Sequence, residues 1–323
     1  MSASPIISVR ELHRTFTNVQ AVRGVSFDIF PGQVVGFIGA NGAGKTTTMR
    51  IMATLETPTM GTVEICGYDI VNSPGRVREN LGWMPDHFGV YTHMTVVEYL
   101  DFYGRAYGYK TKQRLARMHE VMEFTDLTEI ANRPMNKLSK GMGQRLCLGR
   151  TLMHDPKVLL LDEPAAGLDP KARIEFKRLV RVLADQGKTI FISSHILSEL
   201  AEMCDSLVFI DAGHIVHQGT AAELQSGSDG RIVMHVQLAG DPALLQEWVE
   251  RHPDIRLVEM LKQGARLDLG LDTPDLAAEV LRQMVSDRLP VSDFHRETRK
   301  LEDAFVEILK KLEDRSGPPP LPL

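Results

Sequence analysis

A chain of 323 residues with 43% apolar and 24% charged side chains has the make-up of one large or two ordinary folded domains, which excludes a disordered protein. Its net charge of −5 is spread evenly along the chain and leaves no basic footprint for nucleic acid. No apolar run approaches the ~20 residues that span a bilayer, the first residues lack the basic-then-apolar start of a secretory signal, and isolated Cys66, Cys147 and Cys204 suit a reducing interior as small buried hydrophobes. A cytosolic protein is expected, with any membrane role supplied by a partner.

Val34 to Ile38 predicts a short buried strand, and Thr47 to Thr54 the helix that follows. Between them stands Gly39-Ala40-Asn41-Gly42-Ala43-Gly44-Lys45-Thr46. A strand, a Gly-x4-Gly-Lys-Thr loop and a helix in that order make a P-loop. Backbone N–H groups of Gly39, Asn41, Gly42, Ala43, Gly44 and the first helical residues, Thr47 among them, can curl around the β- and γ-phosphates of ATP. Lys45 brings a mobile positive charge to those phosphates, and the Thr46 hydroxyl is a Mg²⁺ ligand.

Leu81 to Met84 predicts another strand, ending at Pro85-Asp86. From His87 to about Leu127 aromatic residues (Tyr91, Tyr99, Phe102, Tyr103, Tyr107, Tyr109) mix with Lys112, Arg114 and Arg117 in a helical pattern, and core packing explains the aromatics as well as a docking surface does. Leu138-Ser139-Lys140-Gly141-Met142-Gly143-Gln144-Arg145 begins a helix that Ser139 can cap, leaving N–H groups free to face an anion. Val158 to Leu161 is a buried parallel strand delivering Asp162 and Glu163 at its C-terminal edge, where ligands of α/β sheets bind. There Asp162 can orient Mg²⁺ through its water shell, and Glu163 can take a proton from an attacking water. Ile190 to Ser193 predicts the next buried strand, ending at His195, and Phe209 to Val216 a hairpin. No metal-binding set converges with His214 and His217 on that hairpin.

Taken together and in this order, these motifs resemble the nucleotide-binding subunits of ATP-binding-cassette (ABC) transporters, from Ile7 to about Leu224. The resemblance implies an α/β P-loop cassette: a RecA-like core, an antiparallel β subdomain and a helical insert over about 87–150, all within residues 1–226. It implies that Leu138 to Met142 is the signature element, usually LSGGQ, so that Ser139 and Gly141 touch the γ-phosphate held by Lys45 of a second subunit. It further implies that Phe16 stacks on adenine, that Ala166-Gly167-Leu168-Asp169 couples the two sites through Asp169, and that His195 holds the γ-phosphate. Asp86 stands where the family has a Gln that contacts Mg²⁺. A carboxylate there can still ligate the metal but adds negative charge beside the γ-phosphate. The helical insert would receive a coupling helix from a separately encoded integral membrane permease. The subunits would work as a homodimer or heterodimer, on the inner face of the cell membrane.

Beyond a linker at Gly227-Ser228-Asp229-Gly230 the pattern changes. Strands at Arg231–Leu238, Ile255–Met260, Arg266–Leu271 and Val291–Phe294 alternate with helices at Pro242–Arg251 and Pro274–Ser286, and a last helix runs Thr298–Leu312. This βαββαβ order is that of a ferredoxin-like α+β unit over 227–314, followed by a proline-rich tail at 315–323. No catalytic cluster appears in it, and an accessory role is expected. Leu301-Glu302-Asp303-Ala304-Phe305 resembles the ending of ATPase subunits from ABC-2 type exporters of drugs and polymers. The expected function is therefore the ATP-hydrolysing subunit of an exporter. A soluble ABC ATPase acting on nucleic acid or ribosomes is the alternative, but its usual second cassette, long coiled coil or zinc modules are not visible. A cassette that binds ATP only as a switch, with turnover crippled by Asp86, is the third reading, and Glu163 and His195 argue against it.

Overall fold

The computed structural model describes residues 4–87, 89–221, 223, 231–271 and 275–296. The chain divides into two units, Met1–Gly219 and Thr220–Leu323.

In the first unit, β1 (Ile7–Phe16) and β2 (Val19–Ile29) pair antiparallel, with Ile7 opposite Ile29 and Val9 opposite Phe27. Alternate residues Ile7, Val9, Val25, Phe27 and Ile29 point inward, the period-2 signature of a half-buried sheet. β3 (Val34–Ile38) is buried at every residue and leads through the glycine loop into α1 (Lys45–Met52). β4 (Met60–Ile65) and β5 (Tyr68–Asp69) complete a four-stranded antiparallel sheet ordered β2-β1-β4-β5. After α2 (Pro74–Asn80) comes β6 (Leu81–Met84), then the helices α3 (Val96–Ala106), α4 (Thr111–Phe124) and α5 (Lys140–Leu152). β7 (Val158–Leu161), α6 (Pro170–Asp185), β8 (Thr189–Ser194), α7 (Leu197–Ala201), β9 (Ser206–Asp211) and β10 (His214–Gly219) follow.

The six-stranded sheet has the order β10-β9-β3-β8-β7-β6, parallel except for β10. Its central strands β3, β8 and β7 are buried at every residue because both of their faces are covered. Phe27 of the antiparallel sheet stacks on Phe191 of β8 at 5.4 Å, and Phe37 of β3 stacks on Phe191 at 4.9 Å, so one aromatic column ties the two sheets. β9 turns into β10 through Ala212 and Gly213, both at positive φ, which is the two-residue hairpin geometry that matches strand twist. Helix α3 starts on a capping box, Thr95 with Glu98. Tyr99 is fully buried within a cluster of Tyr91, Phe102 and Tyr103 rings, whereas Phe102 and Tyr107 remain exposed. The three cysteines are free, and burial pushes the Cys147 thiol up to about 11.

In the second unit, β11 (Arg231–Leu238), α8 (Ala243–Glu250), β12 (Arg256–Leu261), β13 (Gly264–Leu271), α9 (Leu276–Ser286) and β14 (Val291–Arg296) form an antiparallel sheet ordered β12-β13-β11-β14 with two helices. That order is the split βαβ, ferredoxin-like arrangement. Ile232, Met234, Val236 and Leu238 face Leu245 and Trp248 of α8 and Val280 and Met284 of α9. Trp248 is fully buried, and its indole N–H donates to Asp287 at 2.8 Å, so its one polar atom is satisfied. The linker glycines, the Thr298–Leu312 helix with Leu301–Phe305, and the proline-rich tail lie outside the described residues.

Candidate nucleotide site

The glycine loop closes over the C-terminal end of β3. Gly44 has φ +109°, and a Cβ there would stand 2.6 Å from the Ala21 carbonyl oxygen; a Cβ on Gly39 would meet the Ile210 carbonyl oxygen at 2.2 Å. Only glycine fits these two positions, because one needs a left-handed backbone and the other a close approach to a neighbouring strand. The loop leaves a cavity of about 330 Å³, into which Asn41, Gly42, Gly44, Lys45, Thr46 and Thr47 face from one side. Asp86, Glu163, Ala166 and His195 face it from the ends of three other elements, and Ala21 closes its rim.

Lys45 is not a freely swinging charge. Its ammonium is buried, donates to the carbonyls of Gly39 (2.8 Å) and Ala40 (3.3 Å), and lies 3.5 Å from Glu163 Oε1. The chain turns at Glu163 with φ +48°, a conformation that side-chain-bearing residues adopt at a cost of about 1–3 kcal/mol. Two hydrogen bonds hold the turn in register. Glu163 N–H donates to Ser193 Oγ (2.9 Å), and the Ser193 hydroxyl donates to Asp162 Oδ1 (2.7 Å). The second Glu163 oxygen meets His195 Nδ1 at 2.8 Å. Thus Lys45, Glu163 and His195 converge although they arrive from three different strand ends.

Asp162 is almost wholly buried. Desolvation pushes its carboxyl above the usual range, while hydrogen bonds from Ser193 and Thr46 pull it down and the charges of Glu163 and Asp86 push it up. A buried anion beside a threonine hydroxyl and a second carboxylate is an all-oxygen donor set of the kind that suits a hard cation. Ser193 escapes a motif-based reading, since its role depends on β8 lying beside β7 in parallel register, Leu161 opposite Ile192.

The remaining candidates lie elsewhere. Ser139 caps α5 by accepting from Met142 N–H (3.3 Å) and lines a different cavity of about 220 Å³, together with Leu138, Lys140 and Asp86. Asp86 therefore borders both cavities, and its carboxylate is engaged by His87 Nδ1 at 2.7 Å. Gly141 packs where a Cβ would come within 3.3 Å of Ala172, and Asp169 caps α6 by accepting from Ala172 N–H (2.9 Å). Phe16 is outside the lining of the phosphate cavity. The Arg14 guanidinium sits 4.3 Å over one face of its ring, because Arg14 is drawn there by Glu56 at 3.0 Å. Ala43 is buried beneath the loop.

A family profile described as ABC transporter matches residues 22–166, the stretch from just after the rim residue Ala21 to the turn beyond Glu163. Nod factor export ATP-binding protein I of Ralstonia nicotianae is 34% identical over 314 residues, covering 95% of both chains. The chain belongs to the ABC transporter ATP-binding protein family. Its cassette binds and hydrolyses ATP. The probable multidrug ABC transporter ATP-binding protein YbhF of Escherichia coli is 35% identical over 308 residues, 94% of this chain but 52% of that one. Among solved structures, cbiO1 of Clostridium perfringens, part of the ABC transporter complex cbiONQ, superposes with a TM-score of 0.61 at 26% identity, over 67% of this chain and 88% of that one. These relatives do not favour the soluble nucleic-acid ATPase. No helix among the described residues is long and apolar enough to cross a membrane.

Proposed function

We propose that this chain is the ATPase subunit of an exporter, working as a dimer at the cytoplasmic face of a membrane through a separately encoded permease. The observation that carries the reading is the split of the site. Lys45, Glu163 and His195 surround the phosphate cavity, whereas Ser139 of the same chain opens onto another one. A second copy laid head to tail brings its Ser139 and the N–H groups of its α5 to the open side of the first chain's γ-phosphate. Export is supported by relatives named for Nod factor export and multidrug transport that align with both units of the chain.

In this reading the glycine loop and Lys45 hold the β- and γ-phosphates, with Lys45 shifting its third contact from Glu163 to phosphate oxygen. Glu163, released, orients and deprotonates the attacking water. His195, whose Nδ1 lies 2.8 Å from Glu163 Oε2, keeps that carboxylate aimed and reaches the γ-phosphate. Mg²⁺, held by Thr46, Asp162 and Asp86, would neutralise charge developing on the phosphate oxygens. Ser193 acts through Asp162 and Glu163 and is a positioning residue. Closure carries the α3–α4 helices with it. Their groove of about 470 Å³, lined by Val97, Asp101, Phe102, Arg105, Arg114 and Leu115, is the surface offered to the permease. The C-terminal unit is read as an accessory domain.

The test is a mild-detergent pull-down of tagged Glu163→Gln protein with Mg-ATP from its native cells. One integral membrane protein should co-purify; recovery with ribosomes or nucleic acid alone would overturn the exporter reading.

A further inference from the structure

The sheet of the C-terminal unit has one face packed on α8 and α9, and on the opposite face β11 and β14 bring three metal-binding side chains together. His235 of β11 is paired directly opposite His295 of β14, and Asp293 stands two residues before His295, hence on the same face. The two imidazole rings stack with centroids 4.9 Å apart and 28° between planes. Asp293 Oδ2 is 2.7 Å from His295 Nδ1 and 4.0 Å from His235 Nδ1. One ligand atom from each of the three residues lies within 4.8 Å of the others.

His235 supplies a second observation. Its Nδ1 is buried and has no hydrogen-bond partner, because Asp293 is too far away to bond to it. A buried ring nitrogen is normally paired, so this one lacks a partner, a place that a metal ion could take. On β13 the residue opposite His235 is Arg266, a cation that would oppose a metal ion, but its guanidinium is engaged by Glu259 of β12 at 3.0 Å.

We propose that His235, Asp293 and His295 bind a divalent transition-metal ion, with zinc the best match. Two imidazoles and a carboxylate are a borderline nitrogen and oxygen set, which suits zinc better than calcium or magnesium, whose sites are built of oxygen. Ligand atoms around a tetrahedral zinc stand roughly 3.3 Å apart, within the spread seen here, and side-chain rotation of half-exposed Asp293 and His295 closes the set. Three protein ligands leave one position for water. The ion would clasp edge strand β14 to β11.

The experiment uses the full chain, nucleotide-free and stripped with chelator, titrated with zinc chloride against a chromogenic zinc indicator and, separately, with cobalt(II) followed by visible absorption. We expect one equivalent bound with a dissociation constant on the order of 1 μM or below, and a tetrahedral-type cobalt spectrum. His235→Ala and His295→Ala should each weaken binding by about 10-fold or more, and zinc should raise the melting temperature of the parent chain but not of these variants. His214→Ala, in the other unit, should titrate like the parent. Should either alanine variant fail to fold, Asp293→Asn and His295→Gln carry the same comparison. An unchanged titration in the folded variants, or no binding at about 100 μM zinc, would overturn the site.

Discussion

The phosphate end and the signature end of the nucleotide-binding unit are built on opposite principles. At the phosphate end every charged group already has a partner: Lys45 is held by two carbonyls and Glu163, Glu163 by His195, and Asp162 by Ser193. The groups sit at the ends of buried strands, where parallel pairing fixes their spacing. At the signature end Ser139 caps its own helix and opens onto a cavity that holds no phosphate-binding loop. The first region is complete before ATP arrives; in the proposed dimer the second would become a binding surface only against another copy. Binding and closure are thereby separable, and substitutions at the phosphate end should reveal which step each group serves.

The largest effect is expected from Lys45→Ala. It removes the only buried cation facing the cavity among the described residues and leaves two loop carbonyls and Glu163 without it. Nucleotide affinity should fall at least about 100-fold in equilibrium titration, since two or more charge-assisted contacts go at once. Near-parental affinity would mean the backbone N–H groups alone hold the phosphates. Next comes Glu163→Gln, which keeps the shape but not the proton acceptor. Turnover should drop about 10²–10⁴-fold with binding retained, and Mg-ATP should trap a dimer visible by gel filtration. A monomer at saturating Mg-ATP would break the shared-site half of the comparison.

Ser193→Ala should have a smaller effect that is confined to geometry. It deletes the link that joins Asp162 to the Glu163 backbone, leaving a strained turn and a buried carboxylate each one bond short. We expect kcat to fall about 10-fold with KM nearly unchanged, a loss of about 1–2 kcal/mol of stability, and partial rescue by threonine. A matching rise in KM would show instead that Ser193 shapes the nucleotide pocket.

How much of this was legible in the sequence follows the same division. The P-loop and the Asp162-Glu163 strand end could be read because their chemistry lies in contiguous residues whose spacing is the mechanism. The hairpin at Ala212-Gly213 and the C-terminal βαββαβ order were legible from turn residues and alternation. Ser193 was not, because its role exists only through the register of β8 against β7, nor was the restraint on Lys45, which comes from carbonyls of the loop curling back. His235 and His295 were invisible as a pair, since only the antiparallel register of β11 and β14 sets them opposite each other. Phe16 was expected to stack on adenine through the resemblance alone, and nothing in the sequence showed that Arg14, pulled over by Glu56, covers one face of its ring.

The smallest expected effect tests whether the phosphate end is pre-assembled at an energetic penalty. Burial raises the Asp162 pKa in the folded chain, so the fold binds a proton there more tightly than the unfolded chain does. The resulting destabilisation is absent below the ordinary carboxylate value of 3.8 and grows as pH rises through the raised folded value. It then stays constant towards neutrality. Asp162→Asn keeps an acceptor for Ser193 while removing the charge. Without nucleotide or metal, it should melt higher than the parent at pH 7, within about 5 °C, and the gap should close near pH 4. The same variant should lose most of the extra stability that Mg-ATP gives over ATP alone. If the asparagine form instead melts lower at pH 7, the hydrogen bonds from Ser193 and Thr46 outweigh the desolvation of the carboxylate. The charge would then be part of what holds the empty site together rather than a strain relieved by its ligand.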